Sequence, residues 1–193
     1  MNEQVGIVVL PGGQMPKRQT EGAIGFDVHI RALVSDSEMD PENPGLRKTL
    51  FDFKSQPQDP KVASKGIPYA NEADPVHHWG YRLDPMESVL AGIGFVTAMR
   101  FPMFYWVTPR SGLSSKYGIS VTNAPGTVDP DYRGEAAVLV LNRNREPFTL
   151  RHGMRIAQII FMPAIIPDFV EHDQILDLPA TLRGAGGFGS TGV

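Results

Sequence analysis

Proline and glycine interrupt this chain so often that no long helix can run through it. Seventeen prolines and 20 glycines are spread over 193 residues, and each internal proline removes a backbone donor and clashes with the preceding turn. What survives between the breaks is short and rich in β-branched and aromatic residues, the composition of strands. Strands are expected over residues 5–10, 26–34, 88–98, 104–108, 119–121, 136–141, 148–150, 155–161 and 165–170. Many short strands at such spacing build a sandwich, jelly roll or barrel. The chain is long enough for one buried core and short for two, so a single all-β domain is expected over residues 1–182.

Bulk properties narrow the function. The net charge is −3, so no broad positive field would hold a nucleic acid strand, and any phosphate must be held by a local cluster. The absence of cysteine excludes disulfides and thiolate zinc sites, and with them the metal chemistry of zinc-dependent base deaminases. No apolar run approaches the ~20 residues of a membrane span, and MNEQVGIVVLPGG lacks the cationic start of a secretory signal. A cytoplasmic location, or an equivalent reducing compartment, is expected.

Residues 35–81 break the rhythm. The acidic DSEMDPENPG is followed by LRKTLFDFK, which reads as helical, and by a proline-broken stretch ending in HHW. This segment looks like an insertion in a β domain, with Leu50, Phe51 and Phe53 forming an exposed apolar patch for a protein partner. His77 and His78 invite a metal, yet neighbouring residues of an extended chain point to opposite sides.

Chemistry concentrates elsewhere. PRSGLSSKYGI, residues 109–119, follows a strand and reads as an anion-holding corner: Arg110 brings charge, and Ser111 with nearby N–H groups brings directional bonds. In NAPGTVDPDYRGE, residues 123–135, Asn123 offers a donor and an acceptor suited to a pyrimidine edge, and Gly126 permits a tight hairpin. Asp129 and Asp131 share a face if the chain stays extended, or occupy a turn around Pro130; Tyr132 is a core or a rim aromatic. In RIAQIIF, residues 155–161, Ile156, Ile159 and Phe161 are expected inside, leaving Gln158 to reach a phosphate oxygen. The tail RGAGGFGSTGV, residues 183–193, sets one cation and one ring among five glycines. Ordering it costs on the order of 10–20 kcal/mol, of which one buried phenylalanine returns about 2. It is therefore expected to be mobile until an anionic, ring-bearing ligand arrives.

Together with GAIGFDVHI at 22–30, these segments resemble, in order, the five motifs of the homotrimeric dUTP diphosphatase (dUTPase) family, and RLDPMESVLAGIGFVTAMRFPMFYWVT at 82–108 looks like the family's second quarter. The resemblance implies a jelly-roll-like β barrel, a trimer whose subunits share each active site, and magnesium-dependent hydrolysis of dUTP to dUMP and pyrophosphate. Such an activity keeps uracil out of DNA and supplies the thymidylate precursor. It further implies that Asp129 orients and deprotonates the attacking water, that Asn123 and the hairpin at Gly126 read uracil, and that Tyr132 packs under deoxyribose. Arg110, Ser111, Gly112 and Gln158 would bind phosphate, and Asp27 would support them. Arg183 would reach the γ-phosphate end, Phe188 would stack on uracil, and Gly189, Ser190 and Thr191 would join the cradle. Mg2+ would be held by the triphosphate and water rather than by protein ligands.

Two departures stand out. Met154 occupies a place where the family commonly has an acidic residue, and segment 35–81 is foreign to short members. Two rivals are weighed against this reading. A dCTP deaminase of the same fold would need a glutamate where this chain has Leu139, and a leucine cannot shuttle protons. The other rival is a dUTP-responsive regulator that binds a partner through the insertion.

Overall fold

The computed structural model describes residues 3–69 and 79–187. Fourteen strands are present among them: β1 Gly6–Val9, β2 Phe26–His29, β3 Ala32–Met39, β4 Arg47–Phe51, β5 Gly66–Pro68, β6 Trp79–Leu83, β7 Ser88–Gly92, β8 Phe95–Ala98, β9 Met103–Pro109, β10 Ile119–Val121, β11 Gly126–Val128, β12 Ala137–Asn142, β13 Phe148–Leu150 and β14 Arg155–Pro163. One α-helix, α1, spans Ser111–Tyr117. The strands form a five-stranded sheet in the order β10-β12-β7-β3-β4, a four-stranded sheet β11-β9-β14-β2, a three-stranded sheet β13-β6-β5 and the pair β1-β8.

A single cluster binds the three larger sheets, taking Val28, Tyr105, Val107 and Ile159 from one, Leu33, Phe51, Ala91 and Val138 from the next, and Leu83 and Leu150 from the third. Alternation explains how each strand contributes. Along β12, Val138, Val140 and Asn142 turn inward while Ala137, Leu139 and Leu141 face out. β14 departs from strict alternation because a register shift between Arg155 and Ala157 puts both Ile156 and Ala157 in the core, as bulges do.

Two expected strands are split. Residues 26–34 break at Ile30 and Arg31 into β2 and β3, which belong to different sheets, and residues 88–98 break at Ile93 and Gly94 into β7 and β8. Residues 165–170 are not a strand: Ile165 and Phe169 are 93% and 95% exposed, and no ladder partner stands beside them among the described residues.

Segment 35–81 corrects two expectations. LRKTLFDFK is not helical, since Arg47–Phe51 pairs antiparallel with β3. Phe51 and Phe53, expected at the surface, are fully buried; their rings meet edge to face at 5.2 Å, and Phe51 meets Tyr81 at 5.3 Å. Burial of two aromatic rings and an open sheet edge outweigh a weak helical propensity. Lys65 ties the far side of the segment down, pairing with Asp84 at 2.5 Å and Glu87 at 2.9 Å. His77 and His78 lie outside the described residues.

Candidate active site

The corner expected to hold anions forms where β9 ends. Arg110 is extended (φ −90°, ψ 125°) and immediately precedes α1, which closes at Gly118 in the left-handed region (φ 65°) that glycine enters without strain. Leu113 anchors the helix in the core, leaving Ser111 and Gly112 at the surface. Asp27 on β2 holds the corner together: its carboxylate accepts from Arg110 Nε at 2.9 Å and from Arg155 Nη1 at 3.0 Å. Gln158 Nε2 donates to the Pro109 carbonyl at 3.1 Å. Asp27, Arg110, Ser111, Gly112 and Gln158 line one cleft of about 360 Å³. Next to it, burial holds the pKa of His29 below its usual value, with the charges of Arg155, Lys17 and Arg110 adding to the effect against the opposing pull of Asp27.

A second pocket, of about 230 Å³, lies where β11 meets the turn after it, and Asn123, Asp129, Tyr132 and Leu139 line it. The chain turns at Pro130, where Tyr132 N–H donates to the Asp129 carbonyl at 3.3 Å, so Asp129 faces the pocket and Asp131 does not. Asp129 is exposed in the single chain. The expected hairpin at Gly126 is not formed, because β10 before it pairs with β12 while β11 joins β9 in another sheet. Gly126 instead pairs with Val107 just after the turn between the two sheets, and a Cβ there would stand 3.0 Å from Asn123 Nδ2. Leu139 follows from the outward face of β12, so the pocket's described lining contains one carboxylate, Asp129.

Three residues absent from the sequence-based set support this pocket. Glu135, fully buried, accepts from Arg31 Nε at 2.8 Å and Nη2 at 3.0 Å, from the Arg47 N–H at 3.0 Å and from the Gly94 N–H at 3.0 Å. Arg47 also lines the pocket. A charged residue abutting the apolar AAVLVL was a signal for Glu135, because glutamate is seldom buried unless paired; nothing local pointed to Arg31 or Arg47.

The two clefts do not meet within one chain. Val128 stands opposite Tyr105 on β9, and Arg110 follows five residues later, about 17 Å along the strand. Arg110 also reaches toward β2, on the far side of β14, whereas β11 flanks β9 on its other edge. Arg183 is exposed and donates locally, to Gly186 O at 2.8 Å. Phe188, Gly189, Ser190 and Thr191 lie outside the described residues.

The family model described as dUTPase matches residues 81–192. The deoxyuridine 5'-triphosphate nucleotidohydrolase of Desulfotalea psychrophila is 45% identical over 111 residues, covering 58% of this chain and 72% of the relative. That of Caulobacter vibrioides is 50% identical over 111 residues, covering 58% and 70%. In fold, the chain is similar over its whole length to the dUTPase of Staphylococcus bacteriophage 80alpha, with a TM-score of 0.65 at 16% identity and all of that chain covered. With more than half its length matched by the family model and relatives at 45–50% identity, the chain belongs to the dUTPase family.

Proposed function

We propose that the chain hydrolyses dUTP to dUMP and pyrophosphate. The observation that carries this reading is the small pocket in which Asp129 is the one carboxylate, beside an amide able to read a base edge and a phenol ring. In this reading Asp129 takes a proton from a water whose oxygen bonds to the α-phosphorus. The bond from that phosphorus to the bridging oxygen breaks, and pyrophosphate leaves. Such a reaction needs a positioned water and neutralised charge more than covalent catalysis. Arg110, Ser111, Gly112 and Gln158 cradle the phosphates, and Asp27 fixes the arginine's direction. Asn123 and the backbone of the turn before Gly126 read uracil, and Tyr132 floors the deoxyribose. Arg183, Phe188, Gly189, Ser190 and Thr191 close over the nucleotide.

The residues fit a Mg2+ carried by the substrate, because Arg110, Ser111 and Gln158 line a cleft that would leave the remaining phosphate oxygens to the ion, and this hard ion commonly binds through phosphate oxygens and water. When bound, it neutralises charge on those oxygens.

We also read the enzyme as a trimer with shared sites. A pocket of about 230 Å³ is small for a whole nucleotide, and the Arg110 cleft that would take the phosphates opens elsewhere on the same chain. A second copy that apposed its own cleft to the Asp129 pocket would complete the site. The arm after β14 carries exposed Ile165, Phe169, Val170, Ile175 and Leu176, apolar surface of the kind that another chain covers.

Pyrophosphate release measured across dUTP, dCTP, dTTP and UTP tests the reaction. Preference for dUTP is expected, and ammonia release from dCTP would overturn it. Leu139, uncharged in the pocket, argues against deamination. Mixing Asp129→Asn subunits with Arg110→Ala subunits tests sharing: partial recovery of activity is expected, because some mixed sites combine an intact carboxylate with an intact arginine. A mixture as inactive as its parts would refute shared sites.

A further inference from the structure

We propose that Arg47 is a positioning residue that sets Tyr132 at the height that excludes a 2′-hydroxyl, making the segment between the first and second motifs part of the sugar-selecting wall. The inference rests on the reading of Tyr132 as the deoxyribose floor. Arg47 lies on β4, 85 residues before Tyr132, and its Nη2 donates to the tyrosine hydroxyl at 3.1 Å. That hydroxyl in turn donates a hydrogen bond to the Glu135 carbonyl at 3.2 Å. The guanidinium cannot swing freely, because Nη1 donates to the carbonyls of Ser35 at 3.2 Å and Asp36 at 2.9 Å, and Nε donates to the Glu135 carbonyl at 3.3 Å. The Arg47 backbone N–H is bound to the buried Glu135 carboxylate at 3.0 Å.

The phenol is thus braced on two sides. Arg47 holds its hydroxyl from β4, and Gly134 presses from the turn: a Cβ at Gly134 would stand 2.4 Å from that oxygen. Only glycine permits the ring so close to the backbone. A ring clamped at its tip cannot tilt to admit one more oxygen on the sugar, whereas a ring held by the Glu135 carbonyl alone can. Discrimination against an added hydroxyl depends on such rigidity, since an apolar floor that yields rejects an extra hydroxyl weakly.

The experiment measures kcat/KM for dUTP and UTP in the full-length enzyme, in Arg47→Met and in Arg47→Lys. The expected result is a dUTP/UTP ratio lowered about tenfold or more by methionine, which keeps the stem and removes every donor, with part of the loss restored by lysine. In a Tyr132→Phe background, Arg47→Met should leave the ratio where phenylalanine alone puts it, since the hydroxyl it acts through is gone. Equal losses on both nucleotides, with the ratio unchanged, would make Arg47 merely structural and overturn the proposal. If Arg47→Met fails to fold, Tyr132→Phe alone carries the test: it must lower the ratio, and an unchanged ratio refutes the clamp. Wild-type enzyme without any preference for dUTP over UTP would instead overturn the functional reading beneath it.

Discussion

Removing the Glu135 carboxylate should destabilise the protein out of proportion to its size. Its two oxygens accept four hydrogen bonds from Arg31, Arg47 N–H and Gly94 N–H, all within 3.0 Å, and Arg31 is only 9% exposed. Glu135→Ala leaves that guanidinium buried without its counter-charge, and breaking one side of a buried pair costs about 3–5 kcal/mol. Unfolding entropy of about 2 cal/mol/K per residue gives about 0.4 kcal/mol/K for a chain of this length, so the melting temperature should fall by about 8–12 °C. Glu135→Gln, which keeps shape and one acceptor, should fall by less. Replacing both partners, as Arg31→Met with Glu135→Leu, should recover much of the loss, because no isolated charge then remains buried. Differential scanning calorimetry on the three variants decides it. A drop under about 2 °C for Glu135→Ala, or a double variant worse than the single, would refute the argument that an unpaired buried cation is the main cost.

Asp129→Asn should leave dUTP binding near normal by calorimetry while turnover falls about 10²–10⁴-fold, the usual contribution of a general base; retention of most activity would move the base elsewhere. Ending the chain at Leu182 should cut kcat/KM for dUTP at least about tenfold and change the apo melting temperature by less than about 2 °C, because Arg183 bonds to Gly186 within the tail and Gly184 reaches back only to the exposed Thr181. His29 gives the acid-side slope. Its folded pKa lies below the ordinary value, so the unfolded chain takes up the proton first. Its contribution to stability is complete above about pH 6.5 and is lost as pH falls through the folded value. Stability curves of His29→Gln should be flatter across that window, and an unchanged slope would exclude this residue as the cause.

Strand positions were legible wherever a run of β-branched and aromatic residues stood between turn formers. Residues 136–141 and 104–108 are apolar almost throughout, so composition marked them as strands while the choice of inward face appeared only in the fold. The neighbourhood of Arg110, Ser111 and Gly112 was legible because the three are consecutive, and the turn that carries the chain from β10 to β11 brings Asn123 and Asp129 to one pocket; that the turn crosses between sheets instead of closing a hairpin was not legible. LRKTLFDFK misled because its helix-like composition competes with an aromatic cluster that exists only once Tyr81 is in place. Residues 165–170 misled because strand propensity makes no strand without a ladder to join.

Composition and local pattern, then, were enough for an all-β chain, for the stretches around Arg110 and Asp129 that line the two clefts, and for the order of five motifs, since all of these are encoded within windows of a dozen residues. Long-range geometry alone revealed that Arg31, Arg47 and Glu135 form one buried network across separations of 88 and 104 residues, and that Asp129 and Arg110 open on opposite sides of β9. Charge pairing and sheet order depend on which distant strands lie side by side, and no local period in the chain records that choice.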